Sequence, residues 1–190
     1  SHDVVAVARR TLNQKKIGHC GTLDPMATGL LILVLGRGTK IQDLLMAEQK
    51  EYEGTIKLGE TTNTQAREGE VLETKEVGDL SEDQIRAAFE KFTGDFEQTP
   101  PMVSAIKQDG VPLYKLARQG KTVERKPRAV TVFEYEITRI ALPEFDFRVV
   151  CSKGFYVRTY AHEIGQALGC GGHLSALRRT RSGKFLAEGG

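Results

Sequence analysis

The segment IGHCGTLDPMATGLLILVL occupies Ile17–Leu35 and decides the fold, because a glycine-rich loop leads directly into an apolar run. A run as short as Leu30–Leu35, closed by glycines, predicts a buried strand rather than a helix. Pro25 fixes its own φ and biases Asp24 away from helical backbone. The segment therefore predicts a single carboxylate held on a stiff loop at the mouth of a strand, a place suited to chemistry. A simple Asp-Pro turn is the alternative.

Length and composition indicate one globular domain. The chain has 190 residues, of which 39% are hydrophobic and 27% charged. A chain of this size buries roughly 70% of its unfolded surface. Its three cysteines are widely spaced and odd in number, which predicts free thiols in a reducing compartment. We therefore expect a cytoplasmic protein, and no apolar run approaches the length that crosses a bilayer.

The charge is unevenly distributed. The net charge is only +2, yet Lys115–Arg128 carries six basic and one acidic side chain, and 153–190 six basic and two acidic. Clustered basic residues are typical of proteins that contact nucleic-acid phosphates, although a solvated mixed surface explains the charge equally well. The candidate phosphate contacts are Lys121, Arg125, Lys126, Arg178, Arg179 and Arg181.

Apolar periodicity and capping signals place the other elements. Ser81-Glu-Asp-Gln84 is a capping box, and the apolar stripe behind it is predicted to be core. The predicted strands are 51–59, 130–140 and 145–151, and the predicted helices start near residues 4, 39, 81, 112 and 156, with a short helix over 173–179. This irregular order favours an α+β fold with a mixed, largely antiparallel sheet in one domain, 1–190.

The loop GHCGTLDPMATGLL resembles the signature loop of the TruB-type tRNA pseudouridine synthases, and four further blocks match that family in order. They are Lys50-Glu-Tyr52 followed by Gly59; Gln98-x-Pro-Pro101 with Leu113-Tyr114 and Ala117-Arg118; Cys151-Ser-Lys-Gly-x-Tyr156-Val-Arg158-Thr159; and Leu168-Gly-Cys-Gly171 with His173 and Leu177-Arg178-Arg179. One block alone is a weak signal, but five in the same order are specific. The resemblance implies the pseudouridine synthase fold, with helices flanking the sheet around a central catalytic cleft.

The resemblance also implies residue roles. Asp24 corresponds to the catalytic carboxylate of the family, and Arg158 to the arginine that pairs with it. The residues implied to bind substrate are His19, Lys40, Tyr52, Tyr156 and Leu177. An enzyme that flips a base out of its stack needs an aromatic partner for it, which agrees with the two tyrosines. Core packing is the alternative for both.

The implied reaction is the isomerisation of a specific uridine to pseudouridine in the TΨC loop of tRNA. The uracil is cut from ribose C1′, turned and rejoined through carbon, so an aspartate serves as nucleophile or as base, and the residues do not decide between them. No metal or redox cofactor is implied. The expected partner is the tRNA T stem-loop, the expected state is a monomer, and no membrane is expected.

Three departures from the family pattern stand out. The family's G-x-x-T-x-T-x-D-x-x-G loop is matched from Gly59 to Gly69, except that its Asp is Ala66, which puts the orientation of His19 in question. The K-P-x-G-x-T-S segment upstream survives only as Ser1, as expected of a trimmed chain or fragment. The C-terminal RNA-binding domain of many relatives is expected to be absent.

Two other function classes remain open from the sequence. A small zinc-binding protein could use His19-Cys20 with Cys170-Gly-Gly-His173, but an adjacent His-Cys pair has poor geometry for one tetrahedral ion. A non-catalytic RNA-binding module would explain Ala66, but it would not need Asp24, Tyr52 and Arg158 together.

Overall fold

The computed structural model describes residues 1–189. Its helices are α1 His2–Thr11, α2 Gln42–Met46, α3 Glu82–Glu90, α4 Leu113–Arg118 and α5 Val157–Ala167, with 3-10 helices Gly36–Ile41 and Ala187–Gly189. Its strands are β1 Ile17–His19, β2 Thr28–Gly29, β3 Leu33–Leu35, β4 Lys50–Leu58, β5 Glu60–Thr62, β6 Val71–Thr74, β7 Gly94–Gln98, β8 Lys107–Gln108, β9 Val111–Pro112, β10 Arg128–Ala141, β11 Glu144–Cys151, β12 Gly172–Ser182 and β13 Phe185–Leu186. None of these helices is both long and apolar enough to cross a membrane.

A seven-stranded sheet forms the body of the molecule. Its strands run in the order β13-β12-β4-β11-β10-β7, and β2 pairs with β12. Only the β2–β12 pairing is parallel, and all the others are antiparallel. The prediction of an α+β fold with a mixed, largely antiparallel sheet is confirmed.

The core lies on the sheet face that α3 and α5 cover. The capping box at Ser81 is present, since its hydroxyl accepts from the backbone N–H of Gln84 and the Gln84 side chain accepts from the N–H of Ser81. Behind it, Phe89 is fully buried and stacks on Tyr135 with ring centroids 5.2 Å apart. Burying one such aromatic side chain stabilises the fold by roughly 1.5–3 kcal/mol. The predicted stripe is therefore core, and it locks α3 against α5 and the sheet.

The predicted helix over 173–179 is wrong, because these residues belong to β12. This strand pairs with all of β4, from Gly172 opposite Leu58 to Ser182 opposite Lys50, with bulges after Leu174 and Arg179. Leucine, alanine and arginine favour helices locally, but tertiary pairing overrides so weak a preference. The bulges also break the alternation of buried and exposed residues that would have indicated a strand.

The predicted buried strand over Leu30–Leu35 is right only in part. Residues Leu33–Leu35 form β3, which pairs with β1 in a separate two-stranded sheet, and only Val34 is buried. Leu30 instead donates its backbone N–H to the carbonyl of Arg179 on β12, at 2.8 Å. The apolar run thus ties the signature loop to the edge of the main sheet before it turns away.

Candidate active site

The signature loop, residues 18–30, is closed by its own backbone. The N–H of Ala27 donates to the carbonyl of Asp24 at 2.9 Å, which forms a tight turn around Pro25. Gly29 has a φ of +96°, and a Cβ there would lie 2.1 Å from the carbonyl oxygen of Arg179. Only glycine fits such an approach. The loop therefore presents Asp24 in one conformation.

Arg158 binds the Asp24 carboxylate through two hydrogen bonds. Its Nε donates to Oδ2 at 2.8 Å and its Nη2 to Oδ1 at 3.3 Å. The side chain of Arg158 is only 6% exposed, whereas that of Asp24 is 28% exposed. A bidentate pair of this kind fixes the orientation of the carboxylate. One face of an oriented acid thus remains open to solvent.

The same guanidinium joins two further segments. Nη1 donates to the carbonyl of Thr64 at 3.1 Å, and Nη2 donates to that of Val103 at 2.7 Å. Every nitrogen of Arg158 therefore has an acceptor, as a buried guanidinium requires. The pairing of Arg158 with Asp24, inferred from resemblance, is what the geometry shows, while the two carbonyl contacts had no signal in the sequence.

Two candidate tyrosines lie on different elements. Tyr52 lies near the start of β4, and burial, followed by the influence of Cys151, raises its pKa to about 12. Tyr156 precedes α5, and burial is also the main cause that raises its pKa. The negative charge of Asp24 raises the pKa of both phenols. Both hydroxyls are therefore neutral at physiological pH, and both lie within the electrostatic reach of the carboxylate.

Gln98 holds Tyr156 in place from the end of β7. Its side-chain amide donates to the Tyr156 carbonyl at 3.1 Å and accepts from the Tyr156 N–H at 2.9 Å. Gln98 is 1% exposed, so its side-chain amide satisfies the backbone N–H and carbonyl of Tyr156 in the interior, as a neighbouring strand would. Because Tyr156 is the N-cap of α5, the same contact sets the start of the helix that carries Arg158. Sequence reasoning placed Gln98 only in a family block and gave it no role.

His19, Lys40 and Leu177 have different environments. Leu177 is 7% exposed, on β12, and belongs to the core cluster together with Met26 of the loop. Burial, and then the neighbouring His2, lowers the pKa of His19. The buried Nδ1 of His19 has no hydrogen-bond partner within residues 1–189. Ala66 is buried in the core, and its methyl group cannot form a hydrogen bond. Lys40 is exposed on a 3-10 helix, and none of the ion pairs in the described part of the chain joins it to Asp24.

Arg178 and Arg179 point to opposite environments, which corrects the expectation that both contact phosphates. Arg178 is exposed, but Arg179 is 1% exposed and is the largest fully buried side chain. Its Nε donates to the Leu30 carbonyl at 2.9 Å and its Nη2 to the Gly21 carbonyl at 3.3 Å. The two are consecutive on β12, opposite Glu53 and Tyr52, so strand alternation turns their side chains to opposite faces of the sheet. A run of basic residues does not reveal which of them is buried when the strand itself has not been predicted.

A cavity of about 450 Å³ adjoins the loop on the outer part of the sheet. Two arginines, Arg67 and Arg178, lie on its rim, and two acids, Glu53 and Asp146, line it as well. The suggested zinc ligands are not gathered here or elsewhere: within residues 1–189, no three His, Cys, Asp or Glu side chains are close enough to share a metal ion. The Nδ1 of His173 lies 2.9 Å from the Glu60 carbonyl instead.

Comparison with known proteins agrees with this geometry. Residues 9–157 match the family model described as TruB family pseudouridylate synthase (N terminal domain). The chain belongs to the TruB family. Residues 158–189 match the model of the tRNA pseudouridylate synthase B C-terminal domain. The boundary between the two matches falls inside α5, and the second match includes β12, so both contribute to one sheet and one site.

Similar proteins share both sequence and fold with this TruB family chain. It is 62% identical over 185 residues to a tRNA pseudouridine synthase B of Opitutus terrae, covering 97% of this chain and 77% of that protein. It is 49% identical to the protein of the same name from Syntrophotalea carbinolica, of which it spans 60%. The solved structure of a Cbf5-Nop10-Gar1 complex matches with a TM-score of 0.75 and 34% identity, over 97% of this chain and 46% of that one.

A second solved structure, an H/ACA RNP bound to a substrate RNA containing 2′-deoxyuridine, matches with a TM-score of 0.70 and 31% identity, over 97% of this chain and 44% of that chain. These matches confirm the family and the pseudouridine synthase fold inferred from the signature loop. They do not assign a role to any single residue of the site.

Proposed function

We propose that this chain converts a uridine of tRNA to pseudouridine. The observation that carries the proposal is the Asp24–Arg158 pair, in which a buried guanidinium orients a partly exposed carboxylate on a rigid loop. The names of the similar proteins support tRNA as the substrate. Because the chain spans only part of several relatives, the activity of the whole protein is part of this proposal.

The reaction is an isomerisation, so nothing is added to or lost from the RNA overall. The bond between uracil N1 and ribose C1′ breaks, the ring turns, a bond forms between C5 and C1′, the proton on C5 leaves, and N1 gains a proton. Asp24 acts on the sugar, either by attack on C1′ or by removing a proton from the ribose. Arg158 keeps the carboxylate aimed at the sugar, which is the role its two bonds support.

The base must leave its stack before Asp24 can reach the sugar. Stacking on an aromatic side chain is worth about 1–3 kcal/mol per base, which offsets much of the cost of flipping. Tyr52 is the candidate stacking partner, since it is an uncharged phenol within the electrostatic reach of Asp24. Tyr156 and Leu177 are proposed to complete the walls, while His19 is proposed to contact the nucleotide at the mouth.

The finer statements belong to the proposal too. We place the target uridine in the T stem-loop, following the family resemblance of the signature loop, and we expect the chain to act as a monomer without a metal or redox cofactor. Exposed cations such as Arg67 and Arg178, on the rim of the cavity beside the loop, are suited to backbone phosphates.

Incubation with an unmodified tRNA transcript, followed by mapping of pseudouridine at single-nucleotide resolution, tests the function. The expected result is one modified uridine, in the T loop, and none with an Asp24→Asn variant prepared in the same way. Modification elsewhere would overturn the site while keeping the activity. Tight tRNA binding without any pseudouridine would favour the alternative of a non-catalytic RNA-binding module.

A further inference from the structure

Arg179 contacts the signature loop on both sides of Asp24. On one side its Nε donates to the Leu30 carbonyl at 2.9 Å, and on the other its Nη2 donates to the Gly21 carbonyl at 3.3 Å. Its backbone carbonyl accepts from the N–H of Leu30 at 2.8 Å. Both polar groups of Leu30 are therefore bonded to this one residue, and the loop is pinned where it enters and where it leaves.

The guanidinium is buried without a carboxylate partner. None of the ion pairs within residues 1–189 includes Arg179, and its side chain is 1% exposed. Burying an unpaired charge costs several kcal/mol unless fixed dipoles replace its hydration, and here the two loop carbonyls do so. An apolar side chain of similar length would fill the space at lower cost. Packing alone therefore does not account for an arginine here.

Arg179 also lies directly opposite Tyr52 in the pairing of β12 with β4. Its positive charge opposes the rise in the pKa of Tyr52 that burial causes, in agreement with this register. One side chain thus links the loop that carries Asp24 to the strand that carries the proposed stacking tyrosine. Small displacements between these two elements would alter how the sugar meets the carboxylate.

We propose that Arg179 is a positioning residue, which sets the placement of Asp24 relative to Tyr52 by clamping Gly21 and Leu30, and that it contacts no RNA. This inference rests on the proposed function for its kinetic consequences. Its structural consequence, the anchoring of the loop, does not depend on that function.

The central variant is Arg179→Lys, which keeps the charge but offers a point contact instead of a planar fork. Lysine cannot reproduce the two bonds to opposite sides of the loop, so the single-turnover rate constant on saturating tRNA should fall at least tenfold while Kd stays within about twofold. Arg179→Met should lose as much or more. The matched controls are Arg86→Lys and Arg86→Met, at an exposed arginine of α3 that bonds Glu82, and both should retain the wild-type rate and Kd.

A double-mutant cycle with Arg158→Lys separates positioning from general destabilisation. If both arginines act on the placement of the same carboxylate, the loss in the double variant should be smaller than the product of the two single losses. If each substitution instead perturbed the structure independently, the loss of rate in the double variant would equal the product of the two single losses. Rates are taken per folded molecule, well below the unfolding transition of each variant.

Amide hydrogen exchange tests the clamp without any RNA. In Arg179→Lys, the amides of Cys20, Ala27 and Leu30 should exchange faster, while those in the β4–β11 ladder should not change. If wild type makes no pseudouridine, the proposed function fails. Amide hydrogen exchange alone then tests whether Arg179 anchors the loop. Unchanged exchange, multiplicative losses in the cycle, or a loss of tRNA affinity equal to the loss of rate would each overturn the inference. Should Arg179→Met fail to fold, Arg179→Lys supplies every measurement.

Discussion

Arg158 binds Asp24 across 134 residues of chain, with its Nε 2.8 Å from Oδ2. The guanidinium is buried and the carboxylate is only partly so, which makes the arginine a fixed part of the protein and leaves the acid accessible. In the proposed function this arrangement separates two tasks. Exposed cations would bind RNA, and the carboxylate that Arg158 holds would act on the sugar.

Asp24→Asn should abolish turnover, because an amide is neither a nucleophile nor a base under these conditions, while tRNA affinity should stay within a few-fold. Single-turnover assays and a binding titration on the same preparation check both. A turnover above about 1% of wild type, in protein free of host enzyme, would show that Asp24 is not the essential group.

Arg158→Lys should lower the rate constant by about 100-fold, since lysine cannot hold both carboxylate oxygens. It should also lower the free energy of unfolding by about 1–3 kcal/mol, because the carbonyls of Thr64 and Val103 lose their donors. Kinetics beside denaturant unfolding measure the two effects. Equal losses in rate and in tRNA affinity would make Arg158 an RNA contact instead.

Gln98→Met should reduce both stability and rate, because the backbone N–H and carbonyl of Tyr156 lose their hydrogen bonds to the Gln98 side chain. The expected loss of stability is about 1–3 kcal/mol, and the rate should fall about tenfold as Tyr156 and the start of α5 loosen. Gln108→Met, at an exposed position of the β8–β9 hairpin, is the matched control and should change neither. A normal rate in a destabilised Gln98→Met would restrict Gln98 to folding.

Arg178→Gln should weaken tRNA binding and make it less dependent on salt, since Arg178 is exposed at the rim of the cavity. Loss of one phosphate contact reduces the slope of log K against log salt by about 1. Titrations at several salt concentrations give the slope. A slope identical to wild type would place Arg178 outside the RNA interface.

Stability should fall as the pH drops below the ordinary histidine range. Burial lowers the pKa of His162, and its Nδ1 has no hydrogen-bond partner in the described part of the chain. The unfolded chain then binds more protons than the native one, so this contribution is present above about pH 6.5 and is lost as the pH falls. Urea unfolding at pH 7.5 and 5.5 measures it. His162→Gln should reduce the difference between the two, and an unchanged difference would exclude His162 as its source.

Resemblance to the family, rather than local pattern, singled out Asp24, Arg158 and the two tyrosines as candidate site residues. The structure joins Asp24 to Arg158, and the roles of all four stay predictions. The pairing of β12 with β4 is a long-range contact that overrides the local helical preference of Leu177 and its neighbours. Local patterns carry no information of that kind.

Burial of single charges was equally hard to predict. Arg178 and Arg179 are adjacent and chemically identical, and only their alternation along β12 and the carbonyls of the loop distinguish them. Gln98 was missed for the same reason, because its partner is a backbone 58 residues away. The composition of a segment shows which side chains can form hydrogen bonds, but not which distant backbone groups will be their partners.

The pairing of β12 with β4 determines when the signature loop can be fixed in place as the chain is synthesised. The contacts of Arg179 with Leu30 span 149 residues, and β12 adds its strand to β4 only after every element from β4 to α5 has been made. Closing loops of that length is entropically costly and slow compared with forming local helices. A partly made chain that lacks β12 therefore carries the signature loop without its clamp, although Arg158 is already present. We expect the placement of Asp24 to be fixed as one of the last events of folding, together with protection of the β12 amides.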